Sequence, residues 1–173
     1  HLVNGLTPGT VVRLAAPQGE FVLPDPLPEK ILFVTAGSGI TPIISMLRMM
    51  RQRKQVTDIR VVHSTPSAQD LLFADELAEM AGDGTIDLHV QHTRVDGKVT
   101  AVDLAQLCPD WTERQTWACG PGGFLDMLQQ MYSDADLTDL LHIERFALER
   151  GHVGAQGGTV TFARSGKTCL LYT

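Results

Sequence analysis

Along the middle of the chain the spacing of apolar residues alternates between two periods. "KILFVTAG" (residues 30–37) is a continuous apolar run of strand length. "TPIISMLRMMRQRK" (41–54) instead spaces Ile43, Ile44, Leu47 and Met50 as one helical face. The alternation continues with "DIRVVHST" (58–65) as a strand and "AQDLLFADELAEMAG" (68–82) as a helix closed by Gly82. "TIDLHVQHT" (85–93), "RQTWACG" (114–120) and "LLHIERFAL" (140–148) read as further strands. "TAVDLAQLC" (100–108) and "PGGFLDMLQQMYSD" (121–134) read as helices. Strands alternating with helices predict an α/β fold: a five-stranded parallel sheet with helices on both faces. Ligands in such sheets bind beyond the carboxyl ends of the strands, where strand order reverses.

The two ends break this rhythm. Residues 11–15 form a strand-like run after "HLVNGLTPGT", and "GGTVTFARSGKTCLLYT" reads as two short strands joined by "ARSGK", a hairpin. An isolated hairpin is marginally stable, so the chain reads as part of a longer one. Expected boundaries are 1–28, 29–148 and 149–173.

Composition narrows the function classes. Of 173 residues, 43% are apolar and 20% charged, which fits a globular domain. A net charge of −6 argues against a general nucleic-acid surface. No apolar run approaches the roughly 20 residues that span a bilayer, so no membrane insertion is expected. No signal-peptide pattern marks the start. The three cysteines have no metal-type spacing, which together favours a cytoplasmic location. His89 and His92 fall on opposite faces of one strand and make poor joint ligands, so no metal site is expected. Met46, Met49 and Met50 have the spacing of core residues.

Two glycine-rich turns carry the chemistry. In "GSGITP", Gly37, Ser38 and Gly39 end a strand, and a helix begins near Thr41 with Pro42 in its first turn, where proline's missing N–H is no loss. Free N–H groups and the positive dipole end favour an anion there. "WACGPGGFLD" repeats the device with Gly120, Pro121 and Gly122. If the two turns lie side by side at the reversal point, they form one cleft suited to a dinucleotide. Cys119, at its strand end, then either faces that cleft or is a buried structural cysteine.

"GSGITP", "CGPGGF" and "HIERF", in this order, resemble the pyridine-nucleotide domain of the ferredoxin–NADP reductase superfamily. "LTPGTVVRLAAPQGEF" resembles the end of that family's flavin-binding barrel, and "GGTVTFARSGKT" the first hairpin of a plant-type ferredoxin. The nearest sub-group is the three-module reductases that supply oxygenases and acyl-CoA desaturases. The resemblance implies an oxidoreductase that passes electrons from NADPH through FAD to a 2Fe–2S centre, and on to an oxygenase or fatty-acyl desaturase. It implies that Gly37, Ser38, Gly39 and Thr41 cradle the nucleotide pyrophosphate and border the flavin, and that Pro42 packs beside it. Cys119 is implied near the reactive carbon of the nicotinamide, over a turn shaped by Gly120, Pro121 and Gly122. Phe146 is implied beside the isoalloxazine, unless it is a core residue at a strand end. Glu144 is implied as a ring-positioning or proton-moving group.

Cofactor choice turns on the 2′-phosphate of NADPH, which suits an arginine fork. "HTRVDGKVT" is similar to the family's phosphate-binding pattern, implying Thr93, Arg94 and Lys98, with Ser64, around that group. The alternative is that Arg94 and Lys98 are solvated loop charges and that NADH is the cofactor, in a reductase feeding an aromatic-ring oxygenase. The main flavin motif of the family is not in this sequence. Cys169 alone cannot ligate a cluster, which takes four ligands. The chain by itself is therefore expected to bind nucleotide weakly and to have little reductase activity. A non-catalytic nucleotide-binding or interaction module is the rival from another class. The second turn opposes it, because turn geometry asks for neither a cysteine nor so many glycines.

Overall fold

The computed structural model describes residues 18–55 and 57–146 with their side chains, scattered positions between 5 and 16, and the backbone of residues 159–162 and 167–170. Five strands form the main sheet: β1 (Lys30–Ala36), β2 (Asp58–Thr65), β3 (Asp87–His92), β4 (Gln115–Cys119) and β5 (Leu141–Glu144). Their order is β3-β2-β1-β4-β5, and every pairing is parallel. The sheet is parallel, as the alternating pattern predicts, and the order reverses between β1 and β4.

Alternate residues of the central strands supply two apolar layers. Ile31 and Phe33 of β1, Ile59 and Val61 of β2 and Trp117 of β4 face α1 (Ile40–Gln52) and α2 (Ala74–Gly82). Six residues of α1 enter that layer, among them Met46 and Met50, with Met49 packed against it, so the methionines are core residues as expected. Leu32, Val34, Val62 and Ala118 face the other way. They meet Leu104 of α4 (Ala101–Leu107) and Leu125 and Leu128 of α5 (Gly122–Asp134). A single helical turn, α3 (Thr93–Asp96), follows β3. The C-terminal strands β6 (Thr159–Phe162) and β7 (Lys167–Leu170) pair antiparallel, as the hairpin pattern predicts. Among the described residues no helix is long and apolar enough to cross a membrane.

Three expectations need correction. Residues 11–14 form no strand and are exposed, Val11 at 95% and Leu14 at 85%, because no described strand lies beside them to complete their hydrogen bonds. Residue 15 lies outside the described residues. The helix expected over 68–82 is split into a 3-10 turn, Ala68–Asp70, and α2, because Phe73 adopts a left-handed φ of 58°. That conformation costs a non-glycine residue about 1–3 kcal/mol. It places the Phe73 ring against the α1 layer and 5.4 Å beneath the Arg48 guanidinium. The last strand stops at Glu144, short of the expected range, and residues 147–148 lie outside the described residues.

Polar contacts pin the sheet at both ends. Near the amino ends, Arg114, only 2% exposed, donates to the carboxylates of Asp58 and Asp110 and to the Ile31 carbonyl. Its hydrogen bonds hold the Asp110 carboxyl well below the usual carboxylate range. Near the carboxyl ends, Thr35 Oγ1 and His63 Nδ1 share a buried hydrogen bond of 2.7 Å. Burial lowers His63 from 6.5 to about 4, so the folded protein holds its imidazole neutral. Because the folded value lies below the unfolded one, this contribution to stability is complete above pH 6.5 and is lost as pH falls towards 4. The unfolding midpoint should therefore drop across that window. In His63→Gln the slope between pH 6.5 and 5 should flatten, as thermal denaturation followed by circular dichroism will show.

Candidate functional site

The reversal between β1 and β4 sets the two glycine turns side by side. Thr35 and Cys119 are partners in register, so the chain leaves both strands at the same level. After β1 comes a 3-10 turn, Gly37–Gly39, that runs directly into α1. Gly37 has a φ of 55°, a conformation that favours glycine. Gly39 is glycine for a different reason: a Cβ built on it would overlap the Cys119 carbonyl oxygen. The second small residue of the motif lets the first turn lie against the second. Proline stands in the first turn of α1, as expected, and the Thr41 hydroxyl donates to the Ser38 carbonyl at 2.9 Å.

Both helix starts lack the usual satisfaction. Neither the turn that opens at Gly37 nor α5, which opens at Gly122 after Pro121, has a side-chain cap or an acidic residue in its first turn. By contrast, α4 carries a complete capping box in which Thr100 and Asp103 satisfy each other's N–H groups. The two uncapped starts leave N–H donors and positive dipole ends at one rim.

Two adjoining cavities lie along that rim. The first, of about 340 Å³, is lined by Ala36, Gly37, Ser38, Gly120, Pro121, Gly122, Arg145 and Phe146. The second, of about 490 Å³, shares Ala36, Gly37 and Pro121 with it and extends past Ser64, Thr65 and Pro66 to Thr93 and Lys98. Its apolar wall is Val99, Phe124 and Met127. Together they form an elongated cleft crossing the reversal point. Residues present therefore fit a dinucleotide: two uncapped helix starts at the centre, an apolar wall on one arm and an aromatic ring on the other.

Most expected site residues meet here. Gly37, Ser38, Gly120, Pro121, Gly122 and Phe146 line the first cavity, and Ser64, Thr93 and Lys98 the second. Phe146 is 52% exposed, so it is not a core residue. The loop bearing Thr93 and Lys98 is braced from three sides. Gln91 Nε2 donates to the Gly97 carbonyl, Asp96 accepts from the His92 N–H, and the Arg94 N–H donates to the Pro66 carbonyl.

Six expected residues line neither cavity: Gly39, Thr41 and Pro42, which belong to the first turn and the start of α1, and Cys119, Glu144 and Arg94. Cys119 is fully buried and lines neither cavity, contrary to an orientation facing the cleft. The first turn packs over its carbonyl. Burial, helped by the charge of Glu144, pushes its thiol up to about 11 and keeps it neutral. Glu144, paired with Cys119 in register, also lies outside both cavities. Arg94 is exposed and paired with Asp70 at 3.5 Å instead of lining the second cavity. The sequence reading missed Arg145, whose guanidinium donates to Asp126 and Gln129 of α5 beside the first cavity. Its place next to Phe146 in "HIERF" was the available signal. Asp70, the partner of Arg94, lies five residues beyond the end of β2.

A model described as "Oxidoreductase NAD-binding domain" matches residues 33–130. The chain belongs to this family. It is the NAD-binding domain of the ferredoxin–NADP reductase superfamily, as the three motifs imply. An NADPH oxidoreductase of Mycobacterium tuberculosis is 54% identical over 97% of this chain and 44% of its own length. The ferredoxin reductase component of a 3-ketosteroid-9-alpha-monooxygenase from the same species (strain CDC 1551) is 32% identical over 80% of this chain and 39% of its own. The chain thus spans less than half the length of either relative. The solved structure of phthalate dioxygenase reductase shares the fold, with a TM-score of 0.62 at 24% identity over 90% of this chain and 47% of that one.

Because the NAD-binding domain keeps its two turns in contact through a missing side chain, Gly39→Ala should separate them. The expected outcome is a loss of roughly 1–3 kcal/mol in urea denaturation, with nucleotide affinity falling further than the stability change explains. A variant with parent stability and parent affinity would contradict the packing role.

Proposed function

We propose that this chain supplies the nucleotide site of a flavin-dependent reductase that passes electrons from NADPH through FAD to a 2Fe–2S centre and on to an oxygenase or fatty-acyl desaturase. The observation that carries the proposal is the pair of uncapped helix starts at the switch point, flanked by two joined cavities. The 54% identity to a protein named NADPH oxidoreductase supports the cofactor, and the monooxygenase reductase component supports an oxygenase as acceptor. Membership of an oxidoreductase family favours this reading over a non-catalytic interaction module. Free cysteines at Cys108 and Cys119 accord with a cytoplasmic location.

The nicotinamide, when bound, supplies the hydride, and the residues of this chain position it. Gly37, Ser38 and the first N–H groups of α5 hold the pyrophosphate at the shared centre of the cleft, with Thr41 and Pro42 setting the first helix turn. Gly120, Pro121 and Gly122 form the wall beneath the nicotinamide half. Phe146 covers its open side and excludes water, ready to lie beside a flavin. Cys119 contributes through its carbonyl and its bulk beneath the turn, since its thiol stays protonated. Glu144 acts from the neighbouring strand end, as a carboxylate beside that floor.

At the other arm, Ser64, Thr93 and Lys98 form the wall that meets the adenosine 2′-phosphate, with Arg94 turning in from the rim. NADH is the second candidate, favoured by the observed pairing of Arg94 with Asp70. Steady-state kinetics of Arg94→Ala in the intact reductase separates the two. For an NADPH enzyme the Michaelis constant for NADPH should rise roughly tenfold to a hundredfold, the range for a lost charge-assisted hydrogen bond, while that for NADH stays within about twofold. Equal changes for both cofactors would sink the assignment of Arg94 to the 2′-phosphate.

A further inference from the structure

Asp70 ends the 3-10 turn that follows β2, outside the lining of the second cavity, and three contacts fix it there. Arg94 Nη1 lies 3.5 Å from Asp70 Oδ2, and Ser67 Oγ donates to that same oxygen at 2.6 Å. The Asp70 N–H donates to the Ser67 carbonyl at 3.0 Å, which settles the loop after β2. Arg94 is tied to the same loop by its N–H bond to the Pro66 carbonyl at 3.2 Å. Pro66 lines the cavity together with Ser64, Thr93 and Lys98. The acid, the guanidinium and the cavity wall therefore belong to two adjoining loops that follow β2 and β3.

We infer that Asp70 is a specificity-determining residue: it holds Arg94 away from the cavity and sets how strongly a 2′-phosphate is preferred. The inference rests on the assignment of Thr93, Arg94 and Lys98 to that phosphate. Among the described residues no other carboxylate is within ion-pair range of Arg94, and Lys98 has no acidic partner. Asp96, the one acid of α3, is engaged by the His92 N–H at 3.1 Å. A 2′-phosphate that recruits Arg94 must take it from Asp70. The pair is exposed, with 69% of the Arg94 side chain and 43% of the Asp70 side chain accessible, so it yields to a dianion. A nucleotide with a free 2′-hydroxyl has no use for Arg94 and meets no such competition. Asp70 thus lowers affinity for one cofactor class without touching the other.

The test titrates the intact protein by calorimetry with 2′-phospho-AMP and with AMP, in the parent, Asp70→Asn, Arg94→Ala and the double variant. Asp70→Asn is expected to tighten 2′-phospho-AMP by roughly two- to fivefold, the range for an exposed pair, and to leave AMP unchanged. In the Arg94→Ala background the same substitution should change neither ligand, since the effect acts through Arg94. A gain that persists without Arg94 would overturn the inference in favour of plain charge repulsion by Asp70. Weaker AMP binding in Asp70→Asn would overturn it too, showing that the carboxylate grips the ribose diol. Unchanged 2′-phospho-AMP binding in Asp70→Asn, with weakened binding in Arg94→Ala, would remove Asp70 alone. If Arg94→Ala leaves 2′-phospho-AMP binding intact, the phosphate assignment itself fails, and the inference with it.

Discussion

The close approach of Gly39 to the Cys119 carbonyl is the constraint on which the site depends. Parallel pairing of β1 with β4 brings two strand ends to one level, but level ends alone do not make a cleft. The turns must also fit beside each other, and the missing Cβ at Gly39 allows it. With the turns in contact, α1 and α5 present their starts to one place, and the two cavities become one channel that shares Ala36, Gly37 and Pro121. Had either helix been capped by its own side chain, as α4 is, its donors would have been spent internally. Stability left unclaimed at two helix ends is what gives this rim its attraction for an anion.

Much of this architecture was legible in the chain. Buried strands on both faces read as apolar runs, and α1 and α5 show one apolar face each, so the order of elements followed from periodicity. The side-by-side placing of the two turns followed from the general rule for open α/β sheets, whereas the strand order itself came from the structure. What could not be read was local and non-periodic. Nothing in "DLLFADEL" marks Phe73 as the break, because its left-handed backbone is held by packing of its ring against α1, a contact distant in sequence. Residues 11–14 have strand-like composition, yet composition cannot supply a hydrogen-bonding partner.

The site was legible in a similar way. Glycines and the residues beside them were found because backbone geometry restricts which side chains a turn accepts. Side-chain direction was harder to foresee. Cys119 is fully buried, and it is its carbonyl that lies under the first turn. Arg94 was recognised by its type, but its partner Asp70 arrives from the loop of a different strand. Charge pairing across loops leaves no periodic trace.

Trp117 has one more consequence. Its indole N–H donates to the Val22 carbonyl at 3.1 Å, while Phe21, Leu23 and Leu27 pack against the layer that Trp117 helps form. Lifting that strand-free segment would strand a donor in apolar surroundings, at a cost of about 1–3 kcal/mol. Its seating is therefore a latch with one closed position, not a sliding joint. The stretch that leads into β1 thus takes its bearing from the heart of the sheet.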